Sequence, residues 1–151
     1  MALQRITFNV EVRAPIEIVF EHFADHHWLM SLFGQSTRIV SEGQKSPHGV
    51  GSTRRMLFGP LSYDETTILH EPHSRINYKV TRGSVIKNHL GAIQFIQDGD
   101  ITHINYSIQF EGKFRWIEPV VIFLIRFNWD RYASKRLAAL ATGYSPNCIE
   151  P

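Results

Sequence analysis

The side chains of this 151-residue chain with the most chemical potential are an imidazole, two phenols and an arginine–carboxylate set, all within runs of alternating apolar and polar residues. Alternation assigns faces, because successive side chains of a strand point to opposite sides. Ile104, Tyr106, Ile108 and Phe110 fall on one side, opposite His103, Asn105, Ser107 and Gln109, and the apolar set belongs inward. On the preceding run Ile93 and Phe95 share parity with His89 and Lys87, which turns His89 inward as well. Tyr78 sits in phase with Ile76 and Val80. An apolar hollow with a few polar groups, here His89, Tyr78 and Tyr106, is the common form of a small-molecule site.

An imidazole titrating near neutrality can serve His89 as general acid or base. The plainer role is a histidine satisfied by a neighbouring hydroxyl. The phenols of Tyr78 and Tyr106 can donate to a ligand carbonyl, or simply be core with a hydrogen-bonded tip. Arg54 and Arg55 point to opposite faces, so at most one enters the hollow. Glu65 shares parity with Tyr63, Thr67 and Leu69. Facing inward, it needs an arginine partner from the adjacent strand, since a buried charge must be paired. Such a pair can anchor a polar ligand head or supply a catalytic carboxylate. The reading preferred on energetic grounds is a solvated cross-strand pair.

Other chemistries find little support. His22 and His26 are spaced to share a helix face beside Asp25 and His27, but no second ligand pair completes a zinc set, so no metal is expected. The single cysteine, Cys148, lies near the C-terminus, allows no intramolecular disulfide and suits a cytoplasmic protein. The sequence GVGSTR enters a strand where a phosphate site would need a helix start, and no cofactor is implied.

The elements that must hold these residues follow from periodicity. Ile6, Phe8, Val10 and Val12 alternate with polar residues as a half-buried strand. Pro15 opens a short helix to about residue 24, and Asp25 caps a second over 25–33. Strands then read over 37–42, 52–58, 61–70, 75–81, 85–96 and 101–110, with Asp98-Gly99 as a hairpin signal. A long helix covers residues 119–141. The order predicts an α+β domain in which an antiparallel meander of about seven strands wraps around the last helix. Its first half, Val120 to Phe127, is apolar around nearly the whole circumference apart from Arg126, so it must be covered on more than one side. Trp129 and Phe123 are not on one narrow stripe, so at least one faces away from the sheet centre.

Composition agrees. Hydrophobic residues at 43% and charged residues at 20% indicate a single globular domain. A formal charge of +2 without a clustered basic face argues against nucleic acid. The apolar run at 120–127 is far short of a bilayer span.

The segments VRAPIEIVFEHFAD (12–25), GVGSTRRM (49–56), RINYKVTRG (75–83), NHLGAIQF (88–95) and THINYSIQF (102–110), in this order and spacing, resemble the START-like superfamily of helix-grip proteins. The similarity covers nearly the whole chain and is nearest the polyketide cyclase/dehydrase branch. Relatives usually begin the last helix with a more polar sequence than PVVIFLIRF. The resemblance implies a cavity between sheet and last helix. Its expected lining is Tyr78, Tyr106, His89, Ile104, Ile108, Ile93, Phe95, Ile122, Phe123, Arg126 and Trp129, with His89 and Glu65 as candidate proton-transfer groups. Three functions remain open. They are binding of a hydrophobic small molecule, cyclase or dehydratase chemistry in the same cavity, and a dimer or partner module whose cavity is filled by its own side chains.

Overall fold

The computed structural model describes residues 3–57 and 59–143. Phe58, at the end of one expected strand, and Cys148 lie outside the described residues. Strand β1 (Gln4–Val12) leads into helices α1 (Ile16–Ala24) and α2 (His26–Ser31). Strands β2 (Thr37–Ser41), β3 (Thr53–Met56), β4 (Tyr63–Glu71), β5 (Arg75–Arg82), β6 (Ile86–Asp98) and β7 (Ile101–Gly112) follow, and helix α3 (Ile117–Gly143) closes the described chain. The seven strands form one antiparallel sheet in the order β1-β7-β6-β5-β4-β3-β2. This is the helix-grip architecture expected from the sequence.

Local chemistry explains the joints. Pro15 precedes α1 in an extended conformation (φ −61°, ψ 145°), so it stands one residue outside the helix rather than in its first turn. Asp25 is also extended, which stops α1, and its carboxylate accepts hydrogen bonds from the amides of His27 (2.9 Å) and Trp28 (3.3 Å) to start α2. This break parts His22 from His26. His22 Nδ1 bonds the carbonyl of Ile18 on α1, whereas His26 turns into the core. Among the described residues no group of three or more His, Cys, Asp or Glu side chains is arranged to hold a metal.

One continuous core runs along the inner face of the sheet. Phe20 and Phe23 of α1 pack on Phe95, with ring centroids 5.2 Å (Phe20) and 5.5 Å (Phe23) apart, and Val19 of the same helix is buried. Farther along the sheet Phe8 stacks on Trp129 of α3 at 4.1 Å, with Phe33 and Tyr106 against the same indole. Gly34, in the left-handed region at φ +67°, ends the α2 segment beneath the ring of Tyr132, where any β-carbon would strike the ring.

Helix α3 departs from expectation. Ile117 and Ala133 are buried, and Val121, Ile125, Trp129 and Leu137 pack on the core at helical spacing. Among the described residues nothing covers the opposite face of the first half: Val120, Phe123, Leu124 and Phe127 are exposed. The sheet curves over one side of the helix, so the second apolar face has no sheet to meet.

Candidate functional site

A cavity of about 250 Å³ lies between the sheet and the first half of α3. Its walls are Met30 of α2 and Phe33 just after it, Ile108 of β7, Ile86 of β6, and Val121, Leu124, Ile125 and Asn128 of α3, with Leu61 and Val85 at its edge. Its polar groups include Tyr63 and Glu65 of β4, Tyr78 of β5 and His89 of β6, with Gln35 and Ser84 nearby.

A bulge decides which residues of β6 reach it. The β6–β7 register shifts between Lys87 and Leu90, with Asn88 at φ 51°. The extra residue resets the parity, so both Ile86 and His89 line the cavity while Lys87 is exposed. His89 Nδ1 accepts a hydrogen bond from the Val80 amide at 3.1 Å. The ring proton therefore resides on Nε2, the donor left for a ligand. Burial holds the His89 pKa below its ordinary value, so the ring is neutral.

Behind the cavity a polar seam runs through Arg54, which is fully buried. Arg54 and Glu65 face each other in the β3–β4 register, and Arg54 Nη2 donates to Glu65 Oε2 at 3.1 Å. Arg54 Nη1 donates to His26 Nε2 (2.9 Å) and to Thr67 Oγ1 (3.1 Å), and the guanidinium lies 4.6 Å from the Tyr78 ring centre. Guanidinium groups only donate, so His26 Nε2 must be the acceptor and its proton sits on Nδ1. Burial, with the cation of Arg54 adding to it, pushes the His26 pKa down to about 2. Glu65 thus takes the buried alternative and not the solvated cross-strand pair. The register bulge at Asp64/Glu65 leaves the outward pair to Asp64, which accepts from Arg55 (2.8 Å) and Arg82 (2.9 Å) on the other face. Those two guanidinium groups hold the Asp64 carboxyl below the usual carboxylate range.

Tyr78 and Tyr106 share a hydroxyl–hydroxyl hydrogen bond, and burial raises both phenol pKa values, so both remain protonated. Tyr78 lies against Gly91, its direct partner on β6; a β-carbon there would stand 2.2 Å from the ring. Burial, followed by the charge of Glu65, also raises Tyr63.

Of the residues singled out from the sequence, Glu65, Tyr78, His89 and Ile108 come together on the cavity. The others take different places. Tyr106 is core behind Tyr78, and Ile93, Phe95 and Ile104 are buried in the core rather than on the cavity. Alternation finds a residue's face but not its position along strands that outrun the cavity. Ile122 packs on the core edge, and Trp129 fills space against Phe8. Phe123, 63% exposed, and Arg126, also exposed, point away. Tyr63, Ile86 and Asn128 were missed. Tyr63 shares parity with Glu65 and was readable as its cavity neighbour, whereas Ile86 depends on the bulge.

Residues 4–143 match the family described as polyketide cyclase/dehydrase and lipid transport. The chain belongs to that family. The fold of this family member is similar to that of the Zhui aromatase/cyclase from Streptomyces sp. R1128, at 15% identity over 97% of this chain and 99% of that one, with a TM-score of 0.76. It is also similar to norcoclaurine synthase from Thalictrum flavum, solved with dopamine and hydroxybenzaldehyde, at 18% identity over 95% and 89% of the two chains and a TM-score of 0.69. TTHA0849 from Thermus thermophilus gives 15% identity over 94% and 100%, with a TM-score of 0.71. No curated protein matches the sequence.

Proposed function

We propose that this member of the polyketide cyclase/dehydrase and lipid transport family binds one compact hydrophobic molecule in the cavity under α3. The observation that carries the reading is the cavity itself, about 250 Å³ with mostly apolar walls and with Glu65 and His89 among its few polar groups. That volume sits below the usual range for drug-sized ligands, roughly 300–1,000 Å³. It suits a one- or two-ring molecule better than a long acyl chain. The carboxylate of Glu65 accepts from a ligand hydroxyl, and His89 Nε2–H donates to a ligand oxygen.

A specific observation also supports proton-transfer chemistry. An acceptor and a neutral donor line one cavity, so a base and a hydrogen-bond donor able to polarise a carbonyl, the pair that aldol-type ring closure uses, stand together. In that reading Glu65 is the base, and the neutral His89 polarises the ligand carbonyl through its Nε2–H hydrogen bond.

Titration with 2-naphthol, a neutral two-ring probe with one hydroxyl, tests binding. The expected result is saturable binding at one site, weakened by Glu65→Gln and by His89→Ala. Ile108→Phe, which fills the cavity, is expected to weaken it about tenfold or more, an effect of about 1.4 kcal/mol. Binding indifferent to Ile108→Phe would refute the assignment. Native mass spectrometry of the purified protein adds a direct search for a co-purified small molecule.

A further inference from the structure

Beyond the cavity, the outer face of α3 is an apolar surface that the proposed ligand does not use. Val120, Phe123, Leu124 and Phe127 recur at helical spacing and form one stripe, about 11 Å long at the α-helical rise, and Trp116 extends it from the turn just before α3. All five are exposed, Trp116 to 69%. Phe114 stacks beside Trp116 with centroids 6.3 Å apart, and Phe123 beside Phe127 at 5.7 Å. An apolar stripe with four aromatic side chains in this arrangement is unlike the scattered hydrophobics of an ordinary surface.

The charges around the stripe select its partner. Lys113-Phe114-Arg115-Trp116 alternates cation and aromatic with all four side chains exposed, and exposed Arg126 flanks the helix. The one carboxylate between residues 113 and 127, Glu118, is turned inward, accepting from the Gly112 amide (3.2 Å) and from Gln4 Nε2 (3.1 Å). Beyond Phe127 the exposed Asp130 and Arg131 offset each other, so the rim is net cationic. A second copy packed symmetrically on this face would bring like charges together, whereas an anionic surface neutralises them. No helix among the described residues is long and apolar enough to cross a membrane, so the stripe suits a helix lying in the interface.

We propose that this face docks the protein on an anionic lipid bilayer, with Phe114, Trp116, Phe123 and Phe127 entering the headgroup region and Lys113, Arg115 and Arg126 contacting lipid phosphates or carboxylates. Leu124 belongs both to the stripe and to the cavity wall, and exposed Leu61 and Val85 also line the cavity. Docking thus brings the cavity edge to the bilayer surface.

Flotation of the full chain with phosphatidylcholine vesicles, with and without phosphatidylserine, tests this. The expected result is co-flotation with phosphatidylserine vesicles and a blue shift of tryptophan emission that Trp116→Phe removes. At about fivefold per cation, Lys113→Glu/Arg115→Glu should weaken partitioning at least ~25-fold. Phe123→Glu should also abolish co-flotation, and both variants should keep the wild-type far-UV spectrum because every substituted side chain is exposed. Absence of co-flotation with phosphatidylserine vesicles overturns the proposal, as does co-flotation that neither variant weakens. A dimer in sedimentation that Phe123→Glu dissolves, without vesicle binding, assigns the face to a second copy and also overturns it. Vesicle binding reads no cavity ligand, so its failure is separate from a failure of 2-naphthol binding.

Discussion

Glu65→Gln is the sharpest test of the polar seam. The substituted amide keeps the shape and one acceptor oxygen toward Arg54 Nη2, so the change removes charge and little else. Arg54 is fully buried, and its remaining partners, His26 Nε2, Thr67 Oγ1 and the Tyr78 ring, are all uncharged. Stranding a buried charge typically costs about 3–5 kcal/mol, a large share of the roughly 5–15 kcal/mol that holds a domain folded. Arg54→Met should fall at the low end of that range, because the Glu65 carboxylate it strands borders the cavity and can draw water. The double substitution removes both charges and should cost less than the sum of the two, with a coupling of about 1–3 kcal/mol. Urea unfolding followed by far-UV circular dichroism reads all three. With a slope of about 2 kcal/mol per molar, Glu65→Gln should lower the midpoint by roughly 2 M. A shift below about 0.5 M, or strictly additive costs, would show that the guanidinium is not desolvated and would refute the reasoning.

Two further outcomes follow from neighbouring groups. The His26 pKa falls from 6.5 to about 2 on folding, so the unfolded chain binds the extra proton and stability declines as pH drops through 6.5 toward the folded value. Between about pH 7.5 and 5.5 this removes about 1.4 kcal/mol from the wild type but not from His26→Gln, so urea midpoints of the pair should diverge in that window. Parallel curves would mean His26 is charged in the native state. Gly91→Ala sets a methyl 2.2 Å from the Tyr78 ring and should cost about 1–3 kcal/mol by overpacking, read as a lower thermal midpoint. Tyr78→Ala in the same chain should absorb the added methyl; an unchanged Gly91→Ala midpoint would contradict the packing.

Much of the site was readable because strand parity is a local property. Alternation turns Tyr78, His89 and Ile108 inward, and those three line the cavity together with Glu65, whose face it left open. The same rule, continued through Asn88, would put Lys87 inside and Ile86 outside. A left-handed residue and its bulge reverse that, and no periodicity announces them. Energetics misled in one place. A solvated partner for Glu65 was the cheaper reading, but Arg54 stands opposite Glu65 on the inner face and Arg55 opposite Asp64 on the outer, so the sheet makes one buried pair and one partly exposed pair.

The sequence by itself determined the element order, the α+β class, the cap at Asp25 and the face of most strand residues, because each depends on neighbours a few positions away. Only the tertiary structure decided how α3 is rotated against the sheet. That rotation turns Val121 and Ile125 to the cavity, packs Trp129 on Phe8 and leaves Phe123 and Phe127 outside. A helix apolar all round carries no preferred direction of its own, so its rotation is set by the shape of the sheet and by contacts such as Tyr132 over Gly34. Those contacts join residues far apart in the chain, which no local pattern can report.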